Sequence, residues 1–309
     1  MRATGGIRLL LISSSIIPVL GQTKVLLTND DGWATAMIRA QNDALKSGRY
    51  DVVLSCPAVD RSGTGSSTTT PTNLTTPCEF DTCPTGSPAI GFNATDPRLN
   101  YVNGFPVDAA RFGIQTLAPP FFNGSRPDLV VSGPNIGNNL GPTVLISGTV
   151  GAACEAAKEG VPSLAFSASS RSISGVSYTT LESSPTSPGT LAALLYANLT
   201  TIFVDAILSD GTTPILPANI SVNINYPPTT NCSSDADFSF IFTRINADPA
   251  ATDADTCGST HLPTESSVVA MDGCFASVSA FNATTKGDVD AATQGFVLGK
   301  LKNLITCLP

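Results

Sequence analysis

The residues best suited to chemistry fall in four short polar clusters. Asp30 and Asp31 are adjacent carboxylates closing the run Lys24-Val25-Leu26-Leu27-Thr28-Asn29-Asp30-Asp31-Gly32. Neighbouring carboxylates repel unless something neutralises them, and a divalent cation is the usual answer. Ser62 and Ser66 lie in the hydroxyl- and glycine-rich stretch from Asp60 to Thr70. Asn135 and Asn139 lie in the Gly/Asn-rich stretch from Pro134 to Gly141. Ser147-Gly148-Thr149 opens an expected helix. The amides of the third cluster offer neutral oxygen and nitrogen contacts, on a backbone that can approach a ligand closely. A helix entrance of small residues offers free N–H groups and a favourable dipole to an anion. Each cluster alone also has an ordinary reading. These are a strand-to-helix turn, a low-complexity linker, a Gly/Asn turn and an N-cap.

The elements that must position these clusters alternate strand and helix. Lys24 to Thr28 reads as a buried strand, Ala34 to Lys46 as a helix and Asp51 to Cys56 as a second strand. That unit predicts a parallel pair with a right-handed crossover. Residues 71–100, rich in Pro, Thr and Gly, read as a surface insertion containing a hairpin. Val107 to Leu117 follows as a helix, Asp128 to Gly133 as a strand, Ile146 to Gly160 as a helix and Ser163 to Ser167 as a strand. Ser170 to Ser187 reads as loop, Leu191 to Leu208 as a long helix and Ile220 to Ile224 as a strand. Cys232 to Gly273 is polar and shows no clear period, Cys274 to Phe281 alternates like a strand, and Asp288 to Leu304 reads as a final helix. The expected fold is α/β, with a mostly parallel sheet and a less regular C-terminal appendage. Residues 22–309 are expected to form one domain, with a cysteine-containing part at 232–309. In such sheets ligands bind at the carboxyl edge, where all four clusters would meet.

Residues 1–21 have the layout of a secretory signal peptide. Arg2 and Arg8 precede the apolar run Leu9 to Leu20, and Gly21 suits cleavage. The run is too short and too broken by Ser13-Ser14-Ser15 for a membrane span. Seven N-x-Ser/Thr sequons, at Asn73, Asn93, Asn123, Asn198, Asn219, Asn231 and Asn282, suit a glycosylated secreted or cell-wall protein. Eight cysteines suit an oxidising compartment. Cys78 and Cys83 form the easiest local pair, Cys232, Cys257, Cys274 and Cys307 can pair among themselves, and Cys56 and Cys154 sit in core segments as candidate buried thiols. The formal net charge of −8 argues against binding a nucleic-acid duplex through a basic surface. A phosphate ester is still allowed as substrate, because a metal can supply positive charge locally.

Four segments together resemble the SurE family, the stationary-phase survival-protein phosphatases and nucleotidases. They are Leu26 to Gly32, Asp60-Arg61-Ser62-Gly63, Val131 to Gly141, and Ser147 to Ala153. The resemblance implies a Rossmann-like fold with helices on both faces of the sheet and a divalent-metal phosphomonoesterase with Asp30, Asp31, Ser62 and Asn135 as metal ligands. Two carboxylates, a hydroxyl and an amide oxygen make a hard-oxygen set suited to Mg²⁺ or Mn²⁺. Asp30 and Asp31 would carry the catalytic role. It further implies phosphate contacts from Asn139 and from Ser147-Gly148-Thr149, and a weaker one from Ser66, whose position is often Asn in the family. The implied substrates are nucleoside monophosphates or related small phosphate esters, attacked by a metal-activated water or, alternatively, by a carboxylate. The 71–100 insertion and the cysteine-rich C-terminal part resemble the secreted eukaryotic branch, described as acid phosphatases. Family members usually form homodimers, which is a further expectation. Asp108 aligns with a family carboxylate and reads as structural or as a support behind the ligating residues.

His261 is the sole histidine and falls in a polar stretch, which excludes phosphohistidine chemistry, multi-histidine metal sites and a Ser-His-Asp triad. The alternative from another class is a non-catalytic secreted protein that sequesters nucleotide or polyphosphate.

Overall fold

The computed structural model describes residues 22–309, so the expected signal peptide lies outside the described residues. Nine strands form one sheet: β1 (Lys24–Thr28), β2 (Asp51–Pro57), β3 (Ile90–Asn93), β4 (Asp96–Val102), β5 (Leu129–Ile136), β6 (Ser163–Ala168), β7 (Ile220–Asn225), β8 (Ser239–Thr243) and β9 (Phe275–Asn282). Their spatial order is β3-β4-β2-β1-β5-β6-β7-β9-β8. Only β3–β4 and β7–β9 pair antiparallel. The helices are α1 (Ala36–Ser47), α2 (Pro106–Phe112), α3 (Gly148–Lys158), α4 (Thr180–Ser183), α5 (Pro188–Leu208), α6 (Glu265–Val269) and α7 (Ala291–Lys300).

The central strands are buried on both faces, which is why they read as unbroken apolar runs. Side chains of β1 alternate between two cores. Val25 and Leu27 pack with Ile38, Tyr196 and Phe203 of α1 and α5. Leu26 packs on the other face with Val53, Ile114, Val130 and Ala156. Helix α5 is long and apolar enough to cross a membrane, but it packs along α1 as a core helix.

The chain reverses direction across the sheet at β1. From β1 it passes through α1 to β2 on one side, and it returns at β5 on the other side. The register sets Thr28 beside Ser132, so the segments leaving both strands flank one crevice. A reversal of strand order of this kind opens the ligand-binding crevice of doubly wound sheets.

Several boundaries differ from the sequence reading. The stretch 71–100 is only partly a surface insertion. Its second half supplies β3 and the start of β4, and β4 extends the sheet parallel to β2. Expected as loop beyond Gly133, the backbone instead continues as β5 to Ile136. After a register shift between Ser132 and Asn135, Asn135 pairs with Ser167 and Ile136 with Ala168. Such irregularities re-aim side chains beside functional sites. The helix expected over Val107 to Leu117 is α-helical only to Phe112 and widens to a π-turn over Gly113–Leu117. Within the polar stretch 232–273 lie β8 and α6; α7 begins beyond Asp288 because Asp290 caps it, accepting from the Thr293 amide at 2.8 Å, while the Asp288 carboxylate accepts from the amides of Ile245 and Asn246.

Disulfides join Cys78–Cys83, Cys232–Cys274 and Cys257–Cys307, and Cys56 and Cys154 are buried free thiols.

Candidate active site

Asp30 and Asp31 leave the end of β1 into the turn before α1, and both are buried. The turn is braced by Asn29 Nδ2, which donates to the Gly32 carbonyl at 2.8 Å. Asp30 faces the entrance of α3, where Thr149 Oγ1 donates to Asp30 Oδ1 at 2.5 Å. Asp31 faces β5, where the Ile136 amide donates to Asp31 Oδ2 at 2.9 Å. Burial raises the Asp30 carboxyl above its ordinary value, opposed by the Thr149 hydroxyl and amide. Burial, and then the charge of Asp30, push Asp31 well above its ordinary value. Such a pair is stable as two carboxylates only beside a cation.

Asn135 stands next to Ile136 on the re-registered end of β5. Its Nδ2 donates to the Gly137 carbonyl at 2.6 Å, which leaves Oδ1 buried with no hydrogen-bond partner. Buried amide oxygens without a partner are rare and costly. An oxygen donor beside two carboxylates is what a hard divalent cation needs. The residues present therefore fit such an ion. Among the described residues no cluster of three or more His, Cys, Asp or Glu assembles, so a cation here would need neutral oxygens beside the two carboxylates.

Ser62 is brought to the same edge by its loop. The Arg61 amide donates to the Asp30 carbonyl at 2.8 Å. Ser62 Oγ donates to Asp60 Oδ1 at 2.6 Å, leaving its lone pairs available. Further along, the Gly65 amide donates to the Ile146 carbonyl at 2.8 Å, which lays Ser66, itself exposed, against the α3 entrance. A cavity of 510 Å³ opens beside Asp31 and Ser62, walled also by Asp60, Glu79, Phe80 and Ile136. A separate apolar cavity of 530 Å³ lies at the opposite edge of the sheet and holds none of the four clusters.

The α3 entrance is built from small residues for a geometric reason. A Cβ on Gly148 would lie 2.9 Å from Asp30 Cβ and 3.0 Å from Asp30 Oδ2. Ser147 is the N-cap, accepting from the Val150 amide at 3.0 Å, so its hydroxyl oxygen is engaged within the helix. Gly148, as the first helical residue, has no intrahelical acceptor for its amide.

Asn139 is buried in a polar net. Its amide donates to Asn225 Oδ1 at 2.7 Å, its Nδ2 donates to Ser167 Oγ at 2.8 Å, and its carbonyl accepts from Asn223 at 2.9 Å. A phosphate contact from Asn139 would use the second hydrogen on Nδ2. Below the net, Glu265 Oε1 accepts from Asn223 at 2.7 Å and Oε2 accepts from the Gly141 amide at 3.2 Å. Burial raises the Glu265 carboxyl to about 8. Sequence reasoning missed Glu265, because the polar stretch around it carries no periodic signal. It also missed Glu79, a carboxylate at the cavity wall that burial raises to about 7. The short Cys78–Cys83 spacing, just after the Ser62 segment, was the available clue.

Two other sequence expectations concern residues outside the centre. Asp108 is buried and structural, accepting from the amides of Phe105 at 2.9 Å and Thr69 at 3.0 Å. His261 is exposed on the C-terminal part, with Nδ1 3.0 Å from the Ala251 carbonyl.

Fold and crevice together define a doubly wound α/β protein with an acidic, oxygen-rich site at its switch point. The family model described as "Survival protein SurE" matches residues 25–248, and the chain belongs to that family. An acid phosphatase of Yarrowia lipolytica is 34% identical across 84% of this chain and 78% of its own length. A 5'-nucleotidase SurE of Gloeobacter violaceus is 39% identical across 48% of this chain, and the chain spans about half of that relative's length, 51%. The crystal structure of the SurE protein from Aquifex aeolicus superposes with a TM-score of 0.56 at 25% identity, covering 84% of this chain and 93% of that one.

Proposed function

We propose that the protein is a secreted, divalent-metal-dependent phosphomonoesterase acting on nucleoside monophosphates or related small phosphate esters. The observation that carries the reading is the partnerless Asn135 Oδ1 beside two buried, mutually repelling carboxylates. Asp30, Asp31, Asn135 and Ser62 would hold the cation. Bound there, Mg²⁺ or Mn²⁺ would polarise a phosphoryl oxygen and lower the pKa of an adjacent water. Gly148 and the dipole of α3 would receive charge on the phosphoryl oxygens, with Asn139 and Ser66 as further donors. Thr149 orients Asp30 through its hydroxyl and favours the ionised form against the effect of burial. The names carried by the relatives, acid phosphatase and 5'-nucleotidase, support the same activity. Three disulfides and seven sequons support export.

The test is phosphate release from a nucleoside monophosphate with added Mg²⁺ or Mn²⁺, and again after chelation. Release that stops on chelation and returns with the metal is expected. Full activity in chelator would overturn the metal role, and tight nucleotide binding without turnover would mark a binding protein instead.

A further inference from the structure

The Cys78–Cys83 loop places an aromatic side chain at the wall of the cavity that also contains Asp31 and Ser62. That residue, Phe80, is 43% exposed. Its backbone is left-handed, at φ 53°, and Asp81 follows at φ 55°. A left-handed conformation at a bulky residue costs energy and persists only where the surroundings enforce it. Here they do. The disulfide closes the loop, and the Glu79 amide donates to the Ala58 carbonyl at 3.1 Å. Trp33 Nε1 donates to Thr82 Oγ1 at 3.0 Å. Glu79 Oε1 accepts from the Ala34 amide at 2.6 Å. The Glu79 carboxylate lies so close to Gly32 that a Cβ there would sit 2.3 Å from Oε2. The loop is thus fastened to the turn that carries Asp30 and Asp31, and an apolar ring is held out in partial contact with water.

We propose that Phe80 is a specificity-determining residue, against which a flat ring on the alcohol portion of the phosphate ester stacks. The inference rests on the phosphomonoesterase reading of this site. Asp31, Ser62 and Phe80 wall one cavity, so a phosphoryl group held at Asp31 and Ser62 would bring the group beyond its ester oxygen within reach of Phe80. The cavity, 510 Å³, has room for a ring of nucleobase or phenyl size. Stacking on an aromatic side chain is tolerant of ring identity, because every such ring has a π-face. The ring can come from a nucleobase or from an aryl alcohol, and the experiment separates the two.

The experiment compares wild type, Phe80→Ala and Phe80→Tyr on adenosine monophosphate, phenyl phosphate and glycerol 2-phosphate. Phe92, 62% exposed on β3 and away from this cavity, supplies the control Phe92→Ala. Phe80→Ala is expected to raise KM roughly tenfold for ring-bearing substrates, with kcat and the glycerol phosphate KM unchanged. Phe80→Tyr is expected to restore wild-type KM, and Phe92→Ala to change nothing. A rise for adenosine monophosphate alone identifies the ring as a nucleobase, whereas a rise for both identifies any aromatic ring. Equal changes on all three substrates, or none, overturn the proposal. If wild type releases phosphate from no substrate, the enzymatic reading fails by itself. Calorimetric titration with adenosine then decides the role of Phe80. Binding that Phe80→Ala loses sustains it, and absent or equal binding refutes it.

Discussion

Thr149 Oγ1 donates to Asp30 Oδ1 at 2.5 Å, fastening the second residue of a helix to a carboxylate 119 positions earlier in the chain. The bond spans the crevice between β1 and α3. It engages one oxygen of Asp30 and couples the acidic turn to the N-terminal end of the helix. The centre therefore depends on how closely those two elements approach.

Thr149→Val removes that hydrogen bond and keeps the shape of the side chain. A hydrogen bond to a charged group is worth about 1.5–3 kcal/mol. The expected loss of kcat/KM is therefore roughly ten- to a hundredfold. Because the bond favours the ionised form, its loss raises the Asp30 carboxyl further. The acid limb of the pH–rate profile should move to higher pH, and Thr149→Ser should bring it back. An unmoved limb would show that the hydroxyl does not act on Asp30.

Gly148→Ala places a Cβ 2.9 Å from both Asp30 Cβ and Pro106 Cγ. Backbone or carboxylate must shift, at a cost of about 1–3 kcal/mol for an overpacked core. The gain of about 1 kcal/mol in helix propensity offsets part of this. Melting curves should show a small loss of stability, while phosphate release falls by more than tenfold. Retained activity would mean that the helix can retreat without disturbing the carboxylates.

Asp31→Asn should raise the melting temperature of metal-free protein at neutral pH and abolish activity. The folded carboxyl is raised above its ordinary 3.8, so it opposes folding once the unfolded chain ionises. That penalty is absent at low pH and grows as pH rises through 3.8. Added Mn²⁺ should raise the melting temperature of wild type, by binding the folded state alone, and should leave the variant unmoved. Equal metal responses in both proteins would count against Asp31 as a ligand.

Glu265 gives a second pH dependence, remote from the carboxylate pair. Its folded value, about 8, lies above the ordinary 4.5 because it is buried. Between those values the unfolded chain has released a proton that the folded protein keeps, so stability falls as pH rises. Denaturant titrations of Glu265→Gln should show a shallower fall from pH 5 to pH 8, with the single amide oxygen keeping one of the two hydrogen bonds that the carboxylate accepts from Asn223 and Gly141. An unchanged slope would assign the pH dependence elsewhere.

The sequence by itself determined the alternation of strand and helix, because apolar runs and Gly/Pro stops are local signals. It also determined which polar residues close those elements, since Asp30, Asp31, Asn135 and Ser147 each follow or begin a readable element. Tertiary structure decided where β1 stands in the sheet, and with it the meeting of Thr28 and Ser132 ends at one crevice. It decided that β5 runs on past a register shift to Ile136, because β6 offers ladder partners as far as Ala168. That extension sets the Ile136 amide on Asp31 and leaves Asn135 Oδ1 without a partner. It also decided that Glu79 and Phe80 reach the cavity beside Asp31 through a disulfide loop, and that Glu265 lies beneath the Asn139 net on a five-residue helix with no periodic signature. Periodicity records which face of an element is buried, whereas the partner it is buried against depends on contacts between residues far apart in the chain.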